Sequence, residues 1–144
     1  MTEWDDFQAK TLPQMMEAET ALHEGDAGPR IAMWSHHDPV TLFGAIVSKS
    51  GWAQLEPFFR WLAAQFSSTT GYAFDLVACD VSGDMAYTVG YERYTGSLSG
   101  GPVQDVVLRV THVFRREEGE WKVVHRHGDN AGPDPIVMTA AGRP

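Results

Sequence analysis

The chain is short of cysteine, of positive charge and of long apolar runs, and each shortage narrows its function. Its single cysteine, Cys79, cannot form an internal disulfide, which fits a reducing compartment. That cysteine sits in the apolar run FDLVACDV, where a small buried hydrophobe is expected rather than a nucleophile. Eleven Lys and Arg against nineteen Asp and Glu leave a formal charge of −8, and the basic residues lie beside acids, as in RREEGEWK. No basic face forms, so nucleic acid and anionic membrane surfaces are poor partners. No apolar stretch approaches the roughly 20 residues of a membrane span, and the acidic opening MTEWDDFQ is no signal peptide. A cytoplasmic protein is expected. Phosphate-binding glycine loops, paired-cysteine zinc spacings and nucleophile elbows are also missing, so neither a cofactor nor a metal is expected.

What remains is an ordinary single-domain composition, with 43% hydrophobic and 21% charged residues in 144. The first half has helical period. Thr11 and Gln14 in TLPQ form a capping-box pattern with Pro13 in the first turn, and Gly25 is placed to end the helix. A short second helix follows from Asp26 to near Trp34. Asp38-Pro39 marks a turn, and Val40 to Phe43 a short strand. Ser50 caps a third helix whose apolar stripe is Trp52, Leu55, Phe59, Leu62 and Phe66. The second half alternates like strands. YAFDLVACDV and MAYTVGYERY flank a hairpin turn at SGD, TGSLSGGP is a Gly- and Ser-rich loop, and DVVLRVTHVFRR and WKVVHRH flank a second turn at EEGE. Helices followed by antiparallel strands imply an α+β domain over residues 1–129 with a tail at 130–144.

The segments MWSHHDPVTLFGA, GDMAYTVGYERY and LRVTHVFRREEGEWKVVHRHGD, in this order of helices and strands, resemble the SnoaL-like branch of the nuclear transport factor 2 (NTF2) superfamily. The last segment also resembles the association domain of calcium/calmodulin-dependent kinase. The resemblance spans roughly residues 12 to 129 and implies a cone: N-terminal helices packed on a curved, mainly antiparallel mixed sheet that encloses a pocket. Functions on this fold range from isomerases and cyclases to dehydratases and pure assembly domains. Matching the ketosteroid isomerases, the position of their catalytic aspartate falls at or beside Phe43 and Gly44, and the first helix holds no tyrosine for their oxyanion site. A strict ketosteroid isomerase is therefore not expected.

WKVVHRHGD carries the most suggestive chemistry. With Glu118-Gly119 as a two-residue turn, Glu117 pairs with Glu120, Phe114 with Val123, His112 with His125, and Val110 with His127. This register gathers His112, His125 and His127 on one mainly apolar face. Three readings follow: hydrogen-bonded packing, polar anchors of a ligand pocket, or a metal site completed by Asp129 or His36. The first two outweigh the third, since no carboxylate stands at a fixed ligand spacing. His36 in SHHD belongs either to turn chemistry or to a pocket rim. Trp34, Phe43, Trp52, Phe58 and Trp61 are candidate apolar pocket residues, and Tyr87 and Tyr91, on one strand face, are candidate oxyanion donors. Arg109 is expected to pair with Glu92 or across an interface.

The expectation is a domain that binds a small, mostly apolar molecule. The alternatives are a cofactor-independent isomerase, cyclase or dehydratase using His127, His112 or His125 with Tyr91, and a pure assembly domain. A homodimer through the convex sheet face is expected, since that broad surface is economically buried against a twin.

Overall fold

The computed structural model describes residues 2–131; most of the expected tail lies outside them. Helix α1 (Glu3–Asp6) opens on Thr2, whose hydroxyl accepts from the Asp5 amide while the Asp5 carboxylate accepts from the Thr2 amide, a reciprocal cap. The chain then widens into a π-helical turn over Phe7–Thr11 and continues as α2 (Leu12–His23). Thr11 precedes α2 and Pro13 lies in its first turn as expected, but Thr11 is itself helical and its side chain makes no cap, so the capping box does not form. The π turn stands immediately ahead of Pro13, which cannot continue the α-helical ladder. Helix α3 (Gly28–Met33) and α4 (Trp52–Gln65) complete the layer. The N-cap of α4 is Gly51 rather than the expected Ser50, and the Asp38 carboxylate accepts from the Trp52 amide at 2.8 Å.

The second layer is one six-stranded sheet in the order β2-β1-β6-β5-β4-β3. β1 (Thr41–Phe43) runs parallel to β6 (Glu120–Asn130), and every other pairing is antiparallel. β2 (Ser48–Ser50) was not visible as a strand in the sequence. β3 (Phe66–Ser82) and β4 (Met85–Leu98) are longer than their alternating cores, because pairing continues through Thr95 to Leu98, where a loop was expected. β5 (Gln104–Glu117) joins β6 through Glu118 and Gly119, both at positive φ, as a two-residue hairpin turn requires.

The last hairpin starts in the expected register, with Glu117 opposite Glu120 and Phe114 opposite Val123. It then slips by one residue between Phe114 and Val113, and beyond the slip His112 faces Arg126, Val113 faces His125, and Thr111 faces His127. The expected pairings of His112 with His125 and of Val110 with His127 are therefore corrected. The cause is a bulge at Val123-Val124. Both valines are buried, which strict alternation forbids, and the extra residue sends every later side chain of β6 to the opposite face.

On the concave side, Phe7, Met15, Leu22, Trp34, Leu55, Phe59, Val110, Phe114 and Val123 form the apolar core between helices and sheet.

Candidate functional site

The concave face beyond the bulge is built from three rows of side chains across β4, β5 and β6. Thr88, His112 and Arg126 form one row, Gly90, Val110 and Gly128 the next, and Glu92 and Leu108 lie in the third. Glycines flank the valine of the middle row: Phe74 packs against Gly90, and Gly128 leaves a space beside β6. Arg126 uses it. Its guanidinium folds back over Gly128, where an added Cβ would stand 3.0 Å from Nη2, and crosses to Glu92 two strands away. The contact is bidentate: Nη1 donates to Oε2 at 2.9 Å and Nη2 to Oε1 at 2.8 Å. The Tyr72 hydroxyl of β3 donates to the same Oε2 at 2.7 Å.

Helices α2 and α3 lower a second pair onto this face. Arg30 donates from Nε to Glu19 Oε2 at 2.8 Å and from Nη2 to Oε1. Arg126 Nη1 lies 3.6 Å from Glu19 Oε1, so the two pairs form one network. His23 shares a hydrogen bond of 2.6 Å with the Glu19 carbonyl, which accepts from Nδ1, and is packed by the rings of Phe66, Tyr72 and Tyr94. All of Glu19, His23, Arg30, Glu92, His112 and Arg126 are at most 7% exposed, so water contributes little to holding their charges.

His112 links the network to β4. A guanidinium has no acceptor, so Arg126 Nη1 must donate to His112 Nε2, 3.3 Å away. The imidazole proton therefore resides on Nδ1, which faces the Thr88 hydroxyl at 3.5 Å. Burial first, and the Arg126 charge second, push the His112 pKa down to about 3. It is neutral at pH 7. Burial and the Arg30 charge likewise leave His23 below its ordinary value, despite the pull of Glu19 and Glu92. For Glu92, burial opposes ionisation, but the charge and hydrogen bonds of Arg126 prevail and hold the carboxyl far below its usual range. Glu19 also lies below its usual value because Arg30 and Arg126 overcome its burial. Burial and the neighbouring Glu92 push the Tyr72 hydroxyl well above its ordinary value, so it is a donor only.

The three histidines of the sequence analysis are not brought together. His112 faces the interior, whereas His125 and His127 face the convex side, where the edge of each ring meets the Phe43 ring at centroid distances of 5.5 and 5.7 Å. Thr41 Oγ1 lies 2.7 Å from His125 Nδ1. Tyr87 and Tyr91 also lie on the convex side. Tyr91 lines a shallow cavity of about 290 Å³ with Val77, Arg109, Thr111, His127 and Asp129. Arg109 donates to the Asn130 carbonyl at 3.3 Å and does not meet Glu92. Trp34 is in the core with its edge toward Phe59. His36 stacks on Trp52 at 4.0 Å while sharing a hydrogen bond of 2.7 Å with the Ile31 carbonyl. Phe58 and Trp61 stack on each other on the outer side of α4, with Lys49 Nζ 5.6 Å from the Phe58 ring centre. Among the described residues no group of three or more His, Cys, Asp or Glu is arranged to hold a metal ion.

The sequence reading missed Glu19, His23, Arg30, Tyr72, Glu92 and Arg126. A signal existed for Glu92: it follows Ala86, Thr88 and Gly90 at even spacing on one face of β4. Arg126 was hidden by the bulge. A second cavity, of about 640 Å³, lies outside the cone between α2, α3 and the tip of the last hairpin, with Lys10, Met33 and Trp121 among its walls.

Solved structures share this arrangement of helices on a mostly antiparallel sheet. The chain is similar to a candidate dehydratase of the NTF2-like family from Streptomyces avermitilis, at 19% identity, covering 88% of this chain and 97% of that one with a TM-score of 0.73. It is also similar to an NTF2-like protein from Cytophaga hutchinsonii, at 13% identity, 90% and 99% coverage and a TM-score of 0.68. A candidate calcium/calmodulin-dependent kinase II association domain from Xanthomonas campestris matches at 16% identity, 88% and 89% coverage and a TM-score of 0.63. No curated protein matches the chain by sequence. Residues 14–129 match the SnoaL-like domain, and the chain belongs to that family.

Proposed function

We propose that this SnoaL-like domain binds a small, mostly apolar molecule at the ion-paired concave face of its cone, with Arg30, Glu92, His112, Arg126 and Tyr72 as the polar wall and Trp34 and Phe59 as the apolar one. One observation carries this reading: two carboxylates, two guanidiniums and two histidines are buried together where an assembly domain requires only apolar packing. Buried ion pairs are commonly no more stabilising than apolar replacements of similar volume, so their concentration in one place points to use rather than support. The side chains fill the interior, so a ligand is received by their rearrangement rather than by a standing hollow.

Turnover by a histidine base is the weaker reading. An efficient base at neutral pH has a pKa near 7, and His112 stands about four units below that. The name of the Streptomyces relative supports dehydration for that protein, and here Tyr72 rather than Tyr91 would be the inward donor. The convex face, with Phe43, Val77 and Tyr87 exposed, is the proposed homodimer surface.

The test is native mass spectrometry of gently purified protein beside the double variant Glu92→Leu/Arg126→Met. The wild type is expected to carry a small molecule that the variant, though folded, lacks. Equal retention by both, or unfolding of the double variant, overturns the reading.

A further inference from the structure

The cavity of about 640 Å³ outside the cone belongs to no part of the buried network. Glu19 and Arg30 turn inward from α2 and α3 to meet each other, while their chain neighbours Ala18 and Pro29 line the outer cavity. Its volume is that of a small-molecule pocket, roughly 300–1,000 Å³.

The floor of this cavity is apolar. Ala18 is buried, Met33 and Trp121 are half-buried, and Pro29 and Ala32 complete the wall on α3. The Trp121 ring is held from two sides. Phe7 stands perpendicular to it at 5.7 Å, and the Arg116 guanidinium carbon lies 4.5 Å from its centre.

The rim is charged, and its charges do not cancel. Four acids, Glu3, Asp6, Glu17 and Glu120, face three bases, Lys10, Arg116 and Lys122. Arg116 is engaged by Glu3 at 2.6 Å, and Lys122 lies 3.4 Å from Glu120 and donates to the Ala32 carbonyl at 2.9 Å. Asp6, Glu17 and Lys10 enter no ion pair among the described residues. Lys10 balances one of the two free carboxylates, so the cavity keeps one surplus negative charge, of the same sign as the −8 of the whole chain. An anion is repelled at such a rim, and one positive charge neutralises it. The head of a cation stays in water beside the exposed Glu17 while its carbon body covers the floor, as lysine side chains do on apolar surfaces. No charge is then buried, and the cost of desolvating one is avoided.

We propose that this outer cavity is a second binding site, for an organic monocation with an apolar body, its head at the rim that carries Asp6 and Glu17 and its body against Met33 and Trp121. It is independent of the concave-face site.

The experiment titrates three probes with one carbon chain and different charge, octylammonium, octanol and octanoate, by isothermal calorimetry at pH 7 and physiological ionic strength. Octylammonium is expected to bind the wild type tightest and octanoate weakest. The pair Asp6→Asn/Glu17→Gln is expected to weaken octylammonium at least about tenfold. The control pair Glu24→Gln/Glu56→Gln removes as much charge away from the cavity and is expected to change it less than about twofold, because salt screens distant charges. Lys10→Gln removes the free base and is expected to strengthen octylammonium about threefold. Octanoate binding as well as octylammonium overturns the ligand class. Equal weakening by both pairs means diffuse attraction to an acidic protein and overturns the site, as do no octylammonium binding and binding that neither Asp6→Asn/Glu17→Gln nor Lys10→Gln changes.

Discussion

Arg126 crosses an entire strand to grip Glu92 with both terminal nitrogens, and it does so over a glycine, Gly128, whose missing side chain is the space the guanidinium occupies. The relationship links a backbone choice on β6 to an electrostatic arrangement on β4, and it can be tested at each part.

Removing one charge of the pair exposes the other to an interior without water. Arg126→Leu alone leaves Glu92 uncompensated and is expected to cost about 3–5 kcal/mol in urea unfolding. The double variant Glu92→Leu/Arg126→Met is expected to recover most of that loss or exceed the wild type, since the apolar pair carries no desolvation cost. A double variant less stable than either single one would contradict this account.

Gly128→Ala tests the seat. Gly128 is not at positive φ, so alanine meets no backbone strain there, and its effect comes from contact with Arg126. A loss of about 1–2 kcal/mol is expected in the wild type, in the range of core overpacking. In an Arg126→Ala background the same change should be nearly neutral, a coupling measured by a double-mutant cycle.

Stability should depend on pH with a known sign. His112 has a folded pKa of about 3 against an ordinary 6.5, so between these values the unfolded chain binds the proton and the folded chain does not. Its contribution is fully present above pH 6.5 and is lost as pH falls toward 3, with a slope approaching about 1.4 kcal/mol per pH unit. His23 and His125, also lowered by burial, add in the same direction. Between pH 6.5 and 5, His112→Asn is expected to flatten the measured slope by nearly one proton. An unchanged slope would mean that His112 is protonated in the native state.

The convex face supplies a separate test. Val77→Lys is expected to lower the mass measured by light scattering from dimer to monomer while leaving the melting temperature of the fold within a few degrees, as is usual for surface substitutions. A monomeric wild type would remove the proposed interface.

Much of the fold was legible because periodicity survives tertiary packing. The amphipathic stripe of α4, the turn at Glu118-Gly119 and the alternation of β4 all predicted what formed. The start of α2 after Thr11 with Pro13 in its first turn was legible, but the side-chain cap was not formed, because the preceding π turn holds Thr11 in helical conformation. The site was less legible. Its members come from α2, α3, β3, β4, β5 and β6, and no sequence spacing links residues so far apart. His125 and His127 stand one residue apart in the sequence, yet the residue between them, Arg126, is the one that turns inward.

The consecutive valines of β6 make that strand a two-sided ribbon whose sides are assigned by the bulge. Deleting Val124 would leave a regular ladder with the same partners, Val113 opposite His125 and His112 opposite Arg126, and the guanidinium would stay under the helices; flattening the bulge with Val124 retained would instead bring the imidazoles inward. A strand one residue shorter and without the bulge would therefore present the His-Arg-His triplet on the same sides as this one, and only the absence of the bulge at unchanged length would reverse it.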